Sequence, residues 1–221
     1  MKPAGHSSNI TFTAFDIETT GLTPVVDRIV EIGAVRFCGN QVIDTFDELV
    51  EPLRPISHGA SSVNGITDEM VQGTPTIEEV LPRFLNFLGD TVPVAHHAPF
   101  DVWFLAYEFS RLKLSVPDKP VLDTCVIPKS LFPHAGSYSL ENLAGLFRIK
   151  SETFHRALVD AIVCMKILNR CVVEMGGLEQ VSLSGILEMN GPSVSLCTGS
   201  SFWMNPIRPC RRPLKTAMKW R

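Results

Sequence analysis

The order of apolar patterns along the chain is the feature that most restricts its fold. Three segments rich in β-branched and aromatic residues come first, and the second and third flank Gly39-Asn40, a connection short enough for an antiparallel hairpin. Two shorter strands then alternate with helical patterns. This order predicts an α/β fold, in which a mixed sheet with antiparallel N-terminal strands is flanked by helices. The predicted strands span residues 10–17, 29–37, 42–50, 91–95 and 121–123.

Local sequence patterns mark where helices begin and end. Thr76 followed by Glu79 forms a capping-box pattern ahead of apolar residues at helical spacing, so a helix is expected to begin near Thr76 and to kink at Pro82. Pro99 opens a second helix, which is expected to carry Phe100 toward the core. Further helices are predicted over residues 125–131, 139–147, 156–175 and from about 177 to 189.

The charge distribution argues against a broad nucleic-acid-binding surface. The 221-residue chain has a net charge of −3, whereas proteins that cover long stretches of DNA are usually basic. Residues 207–221 hold six basic side chains and no acidic one, which leaves 14 basic against 23 acidic residues elsewhere. This basic tail fits two interpretations, a local contact with nucleic acid and a solvated appendage.

Cysteine spacing and hydrophobicity exclude several classes of protein. The six cysteines form no C-x-x-C pair and no short disulfide framework, which argues against a zinc knuckle and a small secreted domain. No apolar run reaches the roughly 18 residues of a membrane span, and residues 1–9 lack the apolar segment of a secretion signal. We therefore expect a reduced, cytoplasmic setting and no membrane partner.

Two carboxylates at the end of the first predicted strand are the leading candidates for a metal site. Asp16 and Glu18 are two residues apart, and because side chains alternate along a strand, both point to the same face. Burying two anions together is costly unless a divalent cation with oxygen ligands offsets their repulsion. A D-x-E pattern alone is more often a solvated strand end, so this pair needs further residues to support a function.

Three further candidate residues, Asp101, His155 and Asp160, support a catalytic site only when they are considered together. Asp101 lies in the first turn of the helix opened by Pro99, where the helix dipole alone favours an acidic residue. His155 and Asp160 are five residues apart, a rotation of about 140° on a helix, so they converge only if His155 lies on the preceding loop. Each of the three, taken singly, is as well explained as a cap or surface residue.

The segments that contain these residues resemble, in order and spacing, the three exonuclease motifs of the DEDDh superfamily. They are FDIETTG at 15–21, HHAPFD at 96–101 and HRALVD at 155–160. Supporting stretches at residues 29–34, 64–70 and 139–144 are most similar to the branch of the proofreading epsilon subunit; ribonuclease T and oligoribonuclease are other members. The resemblance implies a ribonuclease-H-like fold, an exonuclease domain over residues 9–176, and a C-terminal helix and basic tail of unassigned role over residues 177–221.

The resemblance also implies an activity and its catalytic residues. It predicts hydrolysis of single-stranded nucleic-acid ends in the 3′-to-5′ direction to nucleoside 5′-monophosphates. Two divalent cations, Mg²⁺ or Mn²⁺, would be held by Asp16, Glu18 and Asp160, with Asp101 acting on one of them through water. His155 would accept the proton of the attacking water, a role worth roughly 10²- to 10⁴-fold in rate.

The same resemblance implies a pocket for the terminal nucleotide. Leu22 would lie against the terminal base, and stacking of this kind predicts little base specificity. Without the resemblance, Leu22 is equally well explained as a core leucine. The predicted substrate-binding residues are Thr19, Thr20, Leu22, Val63, Asn64 and Ile66.

Two positions depart from the family pattern. His97 stands where the family usually has Asn, and Asn64 stands where the epsilon-like branch usually has His. Neither is a catalytic position, so both bear on how the pocket is lined. The adjacent His96 and His97 lack a cysteine or carboxylate at ligand spacing, which argues against a zinc site there.

Alternative functions stay open at the level of sequence. DNA replication or repair is the favoured setting, with a DNA polymerase subunit as a candidate partner, but an RNA-trimming exonuclease fits as well because the contact that reads the 2′-OH is not identifiable. A non-catalytic module that holds a nucleic-acid end or a polymerase is the alternative of a different class; the five catalytic residue types argue against it. Residues 180–183 (QVSL) only weakly resemble a peptide that docks on the sliding clamp, and a helix face explains them better.

Overall fold

A single mixed sheet forms the centre of the protein, as seen in a computed structural model that describes residues 10–151, 154–177, 180–192 and 194–197. Within that part of the chain the strands are β1 (Phe12–Thr19), β2 (Ile29–Cys38), β3 (Gln41–Leu49), β4 (Val92–Ala95) and β5 (Leu122–Asp123). They are arranged in the order β3-β2-β1-β4-β5. The pairs β1–β2 and β2–β3 are antiparallel, whereas β4 runs parallel to both β1 and β5.

Helices cover both faces of this sheet. The described residues form α1 (His58–Asn64), α2 (Asp68–Val71), α3 (Ile77–Leu88), α4 (Ala98–Arg111), α5 (Ile127–Leu131), α6 (Leu140–Leu146), α7 (Ala157–Glu174) and α8 (Leu183–Asn190). Thr76 and Glu79 form the predicted capping box at the start of α3, and α3 continues through Pro82. In this part of the chain, none of the helices combines the length and the apolar character needed to cross a membrane.

Side chains of β1 alternate between two cores on opposite faces of the sheet. Phe15 packs among residues of α3 and α4. Phe12 and Ala14 pack on the other face, among residues of α5, α6, α7 and α8. Asp16 and Glu18 continue this second series, so their carboxylates lie on the face that α7 covers. The strand period therefore delivers both acidic groups to the start of the longest helix.

Gly33 allows α7 to approach the sheet closely. It is the β2 residue paired with Asp16 of β1. A Cβ atom at this position would lie 2.0 Å from the backbone nitrogen of Leu158 and 2.1 Å from the carbonyl carbon of Ala157. Only a residue without a side chain fits under the first turn of α7, and this fit places that turn beside Asp16.

The α/β architecture, the hairpin of β2 and β3 and the mixed sheet confirm the sequence prediction. Two short helices, α1 and α2, were not predicted. The hydroxyl of Ser57 caps α1, and Gly65 ends it in the left-handed region with φ 71°. Both end residues are visible in the sequence, but a seven-residue helix is too short to show the apolar periodicity on which the other assignments depended.

The chain after α7 packs on the same body. Val181, Ile186 and Leu196 are buried. The side chain of Asn190 accepts a hydrogen bond of 2.7 Å from the backbone N–H of Asp123 and donates one to a carbonyl of the same strand region. The division of the chain at residue 176 stays a prediction, and the basic tail of residues 207–221 lies outside the described residues.

Candidate active site

Three predicted metal ligands meet at the end of β1. Asp16 and Glu18 come from this strand and Asp160 from the first turn of α7. One carboxylate oxygen from each lies within 4.8 Å of the others. Residues separated by about 140 positions in the chain are thus brought into one group of a size that a single cation spans.

Asp101 approaches the same strand from the opposite side. It lies in the first turn of α4, is 3% exposed, and its Oδ1 accepts a hydrogen bond of 3.2 Å from the backbone N–H of Ile17. Ile17 stands between Asp16 and Glu18, so this bond fixes α4 to the acidic end of β1. Asp101 itself is not a member of the three-carboxylate group. That placement fits the role implied by the motif, in which Asp101 acts on a cation through a water molecule. This role stays a prediction.

The carboxylates repel one another in a poorly solvated space. Burial raises the pKa of Asp16 well above its ordinary value, and the charges of Asp101, Glu18 and Asp160 raise it further. Burial, followed by the charge of Asp160, raises the pKa of Glu18 to about 8. Burial also raises the pKa of Asp160 to about 6, against the hydrogen bond from the backbone of His155. Without a cation, Glu18 is mostly protonated at neutral pH.

The donor set matches a divalent cation. Oδ1 of Asp160 is buried and has no hydrogen-bond partner among the described residues. An unpartnered buried oxygen is costly, and a cation removes that cost while also offsetting the repulsion. Three carboxylates and no sulfur or imidazole within the group favour a hard cation over zinc. The residues present therefore fit the divalent metal expected from the motifs.

His155 lies on the loop before α7, as the motif spacing required. Its backbone is left-handed, with φ 63°, and its N–H donates a hydrogen bond of 3.0 Å to Oδ2 of Asp160. The imidazole is 47% exposed, and Nε2 lies 3.7 Å from Oε1 of Glu141 on α6. The backbone of this residue thus orients a predicted metal ligand, while its side chain stands outside the carboxylate group, open to solvent.

A cavity of about 350 Å³ adjoins Glu18. Such a volume is in the range of small-ligand sites. The exposed side chain of Leu22 lines it, as do Val63 and Asn64 of α1. The lining residues are Ile17, Glu18, Thr19, Gly21, Leu22, Ser57, Gly59, Ala60, Val63, Asn64 and Phe100.

Two predicted substrate-binding residues lie elsewhere. Ile66 is fully buried with Val30 and Val71 in a small separate core. Thr20 is buried, and its hydroxyl accepts a hydrogen bond from the backbone of Arg28. Neither side chain lines the cavity, so their effect on the pocket is to hold its walls.

Phe100 was assigned to the core from its helical spacing, yet it also lines the cavity. Its ring centroid lies 5.1 Å from that of Phe104, which is buried in the core. Phe100 is partly buried and forms the edge of that core. The periodicity of α4 identified its apolar face but not the point at which that face emerges beside Glu18.

Asn64, the residue that replaces the usual His, orients its neighbours through both ends of its amide. Oδ1 accepts a hydrogen bond of 3.0 Å from Ile66, and Nδ2 donates one of 3.4 Å to the carbonyl of Thr19. A hydrogen bond from Asn64 also lowers the pKa of Glu18, against the larger effect of burial. Asn64 therefore connects the wall of the cavity to a predicted metal ligand.

The histidine pair contributes to the start of α4. Nδ1 of His96 lies 2.9 Å from the hydroxyl of Thr124, and burial lowers the pKa of His96 to about 4. His97 has φ 61°, and its backbone N–H donates to Asp123 at 3.0 Å. Neither histidine belongs to a metal-binding group among the described residues.

The weakly clamp-like segment is folded into the body. Val181 is 7% exposed, and Ser182 caps α8 through its hydroxyl. The helix-face interpretation and the predicted start near residue 177 are wrong in detail: α8 begins at Leu183, and residues 180–182 precede it because Ser182 takes the N-cap position.

A mixed sheet with acidic groups at the end of its central strand defines the class of ribonuclease-H-like nucleases. The RNase T family model, described as exonuclease, matches residues 13–168. The chain therefore belongs to the RNase T exonuclease family, and the resemblance found in its three motifs is confirmed.

Relatives of this chain include bacterial DNA polymerase III proteins. It is 42% identical over 166 residues to the DNA polymerase III subunit epsilon of Treponema pallidum, covering 74% of this chain and 77% of the relative. It is 41% identical over 179 residues to the PolC-type DNA polymerase III of Thermotoga maritima, covering 81% of this chain. This chain spans only 13% of that polymerase and 12% of the corresponding protein of Caldanaerobacter subterraneus.

Solved structures share the fold. Exonuclease X, in complex with 5′ overhanging duplex DNA, has a TM-score of 0.64 and 28% identity, covering 81% of this chain and 99% of its own. Exonuclease I of E. coli, in complex with a dT13 oligonucleotide, has a TM-score of 0.66 at 20% identity, covering 76% of this chain and 42% of its own. At 20% identity, the similarity to exonuclease I shows a shared fold only.

Proposed function

We propose that this chain removes nucleoside 5′-monophosphates one at a time from the 3′ end of single-stranded DNA. The observation that carries the proposal is the convergence of Asp16, Glu18 and Asp160 within 4.8 Å beside a cavity that Glu18 also lines. A nucleotide seated in that cavity would present its 5′ phosphate to the carboxylate group.

Mg²⁺ or Mn²⁺ is the cofactor that this donor set suits best. Asp16, Glu18 and Asp160 would hold it. The buried Oδ1 of Asp160, which has no hydrogen-bond partner among the described residues, is available as a ligand. When bound, such cations supply charge stabilisation to the phosphoryl oxygens and lower the pKa of water. They also explain how an acidic protein acts on a polyanion.

The protein side chains provide orientation and proton transfer. Water attacks phosphorus as it loses a proton, the bond from phosphorus to the 3′ oxygen of the penultimate nucleotide breaks, and that oxygen takes a proton from solvent to become a new 3′ hydroxyl. His155 is the proton acceptor, since its imidazole is exposed on the loop beside Asp160 and can turn toward the attacking water. Its backbone N–H keeps Asp160 oriented during that movement.

The cavity explains why the enzyme would act on the 3′ end of a strand. Leu22, Val63 and Phe100 line a space that suits one base, and Phe100 is available for stacking. Its contacts to the base are apolar, so little sequence preference is expected. Because the cavity is proposed to take a single base, a paired duplex must fray before its terminal nucleotide enters.

A role in DNA replication or repair, beside a DNA polymerase, is supported by the names of the epsilon and PolC-type relatives. The same relatives favour a cytoplasmic location. RNA trimming is the second candidate, because a 3′-exonuclease that recognises a histone mRNA stem-loop shares the fold, with a TM-score of 0.68 at 18% identity.

A substrate panel tests the proposal. End-labelled single-stranded DNA, single-stranded RNA of the same sequence, and a duplex with a 3′ mismatch would be incubated with Mg²⁺ or Mn²⁺ and sampled over time. The proposal expects single-stranded and mismatched DNA ends to be shortened faster than RNA. Faster loss of RNA would select the trimming function. Binding of all three without any hydrolysis would select a non-catalytic module.

A further inference from the structure

Glu31 is a buried carboxylate beside the metal-binding group that the proposed mechanism does not use. It lies on β2, directly across from Glu18 in the strand register, and is 1% exposed. A carboxylate at this position would be a natural fourth metal ligand. It is nevertheless not part of the group formed by Asp16, Glu18 and Asp160.

The contacts of Glu31 show what its carboxylate does. Oε1 accepts hydrogen bonds from Nη2 of Arg156 at 2.5 Å and from Nε at 3.0 Å. Oε2 accepts a hydrogen bond of 2.8 Å from the backbone N–H of Ala157, the first residue of α7. Both oxygens are therefore engaged by donors that belong to the start of one helix. Oε2 also accepts a hydrogen bond of 3.2 Å from Nε of Arg156, so each oxygen accepts two hydrogen bonds.

The location of those donors connects Glu31 to two catalytic candidates. Arg156 and Ala157 stand between His155 and Asp160 in the chain. Arg156 has no side-chain cap of its own for α7, so the carboxylate of Glu31 supplies the acceptor that a helix N-terminus needs. Gly33, two residues further along β2, supplies the close contact beneath the same turn. Two residues of one strand thus fix one helical turn.

We propose that Glu31 is a positioning residue, which anchors the first turn of α7 to the sheet and thereby holds Asp160 and the backbone of His155 in the metal-binding arrangement. The inference rests on the proposed function, since it concerns the same site. It assigns Glu31 to the support of the cation and not to its coordination. Groups that orient metal ligands typically change metal affinity about 10- to 100-fold when they are replaced.

Glu31→Gln is the informative variant. Glutamine has one acceptor oxygen and one amino group, so it cannot keep Arg156 on one oxygen and the Ala157 N–H on the other, and its amino group would face one of these two donors. The first turn of α7 should loosen, and Mn²⁺ binding measured by calorimetry should weaken about 10- to 100-fold. Hydrogen exchange of the Ala157 and His155 backbone amides should accelerate under conditions where the rest of α7 remains protected.

Two matched controls separate positioning from other effects. Glu108 is a second buried glutamate, 1% exposed and paired with Arg111 at 2.7 Å, and it lies two turns beyond Asp101 on α4. Glu108→Gln should lower the melting temperature without changing Mn²⁺ affinity. Asp47 lies on β3 across from Gly33, and its charge acts on Arg156. Asp47→Asn removes a nearby negative charge without touching α7, and it should change Mn²⁺ affinity much less than Glu31→Gln.

The outcomes distinguish the inference from the function on which it rests. Wild-type Mn²⁺ affinity in a folded Glu31→Gln protein overturns the positioning role and leaves the exonuclease proposal intact. An equal loss in Asp47→Asn overturns it too, because charge alone would then explain the change. Failure of the wild-type protein both to bind Mn²⁺ and to degrade DNA overturns the proposed function and this inference together. If Glu31→Gln does not fold, Arg156→Gln replaces it: accelerated exchange at His155 supports the anchor, and unchanged exchange overturns it.

Discussion

The backbone N–H of Ile17 donates a hydrogen bond to Oδ1 of Asp101, over 3.2 Å. This contact joins α4 to β1 at the residue between the two acidic side chains of the strand. Together with the contact of α7 against Gly33, it means that every predicted metal-binding carboxylate is fixed by the same short stretch of sheet. The arrangement is therefore built into the fold before any cation binds.

Replacing Gly33 with alanine should disrupt the site through the backbone of α7. The new Cβ would meet backbone atoms at 2.0 Å, so the helix must move, and we expect a loss of about 3 kcal/mol of stability together with most of the activity. Denaturant unfolding and a nuclease assay measure both. Gly145 of α6 has open space around it, and Gly145→Ala should instead gain about 0.5–1 kcal/mol with activity unchanged. Similar stability for the two variants would refute the close approach.

Leu22→Ala should weaken binding of the 3′ end without altering the chemical step. Its side chain is 55% exposed and lines the cavity beside Glu18, so removing it takes away apolar contact with the terminal base. We expect KM for single-stranded DNA to rise about tenfold while kcat changes little. Val26 is also 55% exposed on the same loop but does not line the cavity. An equal increase in KM for Val26→Ala would show that the loop acts without specific contact.

The variant His155→Ala should have a lower kcat but an unchanged affinity for Mn²⁺. Alanine retains the backbone N–H that donates to Asp160, so the carboxylate group keeps its geometry. Loss of the imidazole should lower kcat by about 10²- to 10⁴-fold. Calorimetry with Mn²⁺ should give the wild-type affinity; a large loss would make the imidazole a ligand, and an unchanged kcat would remove His155 from the mechanism.

Metal-free protein should become less stable as pH rises from about 6.5 to 8. Burial raises the pKa of Glu18 to about 8, so the folded protein binds more protons than the unfolded chain in this range, and stability falls with increasing pH. His96, whose pKa burial lowers to about 4, acts in the opposite direction only below its unfolded pKa of about 6.5. Melting temperature in chelator measures the effect, at roughly 2–4 °C for each kcal/mol.

A matched pair of variants assigns that pH dependence. Glu18→Gln should flatten the decrease in melting temperature, whereas replacing the exposed Asp90 with asparagine should leave it unchanged. Excess Mn²⁺ should reverse the trend for the wild-type protein, because the cation binds the deprotonated carboxylates. A melting temperature that rises between these pH values in chelator would contradict the repulsion inferred for the site.

Sequence reasoning succeeded where local patterns carry the information. Strand periodicity placed Asp16 and Glu18 on one face, and the five-residue spacing required His155 to precede the helix, as it does. It did not find Glu31, whose partner Arg156 is 125 residues away, because a buried ion pair leaves no periodic pattern in the chain. It also missed the cavity-facing position of Phe100, since periodicity identifies an apolar face but not what that face meets.

The direction and product of cleavage test the central claim most directly. Linear single-stranded DNA labelled at its 5′ end, and a circle of the same sequence, would be incubated with Mn²⁺ and either wild-type protein or Asp16→Ala. The account predicts stepwise shortening of the linear strand with release of nucleoside 5′-monophosphates, an intact circle, and no turnover by the variant or in excess chelator. Cleavage of the circle as fast as the linear strand, or undiminished turnover in chelator, would contradict it.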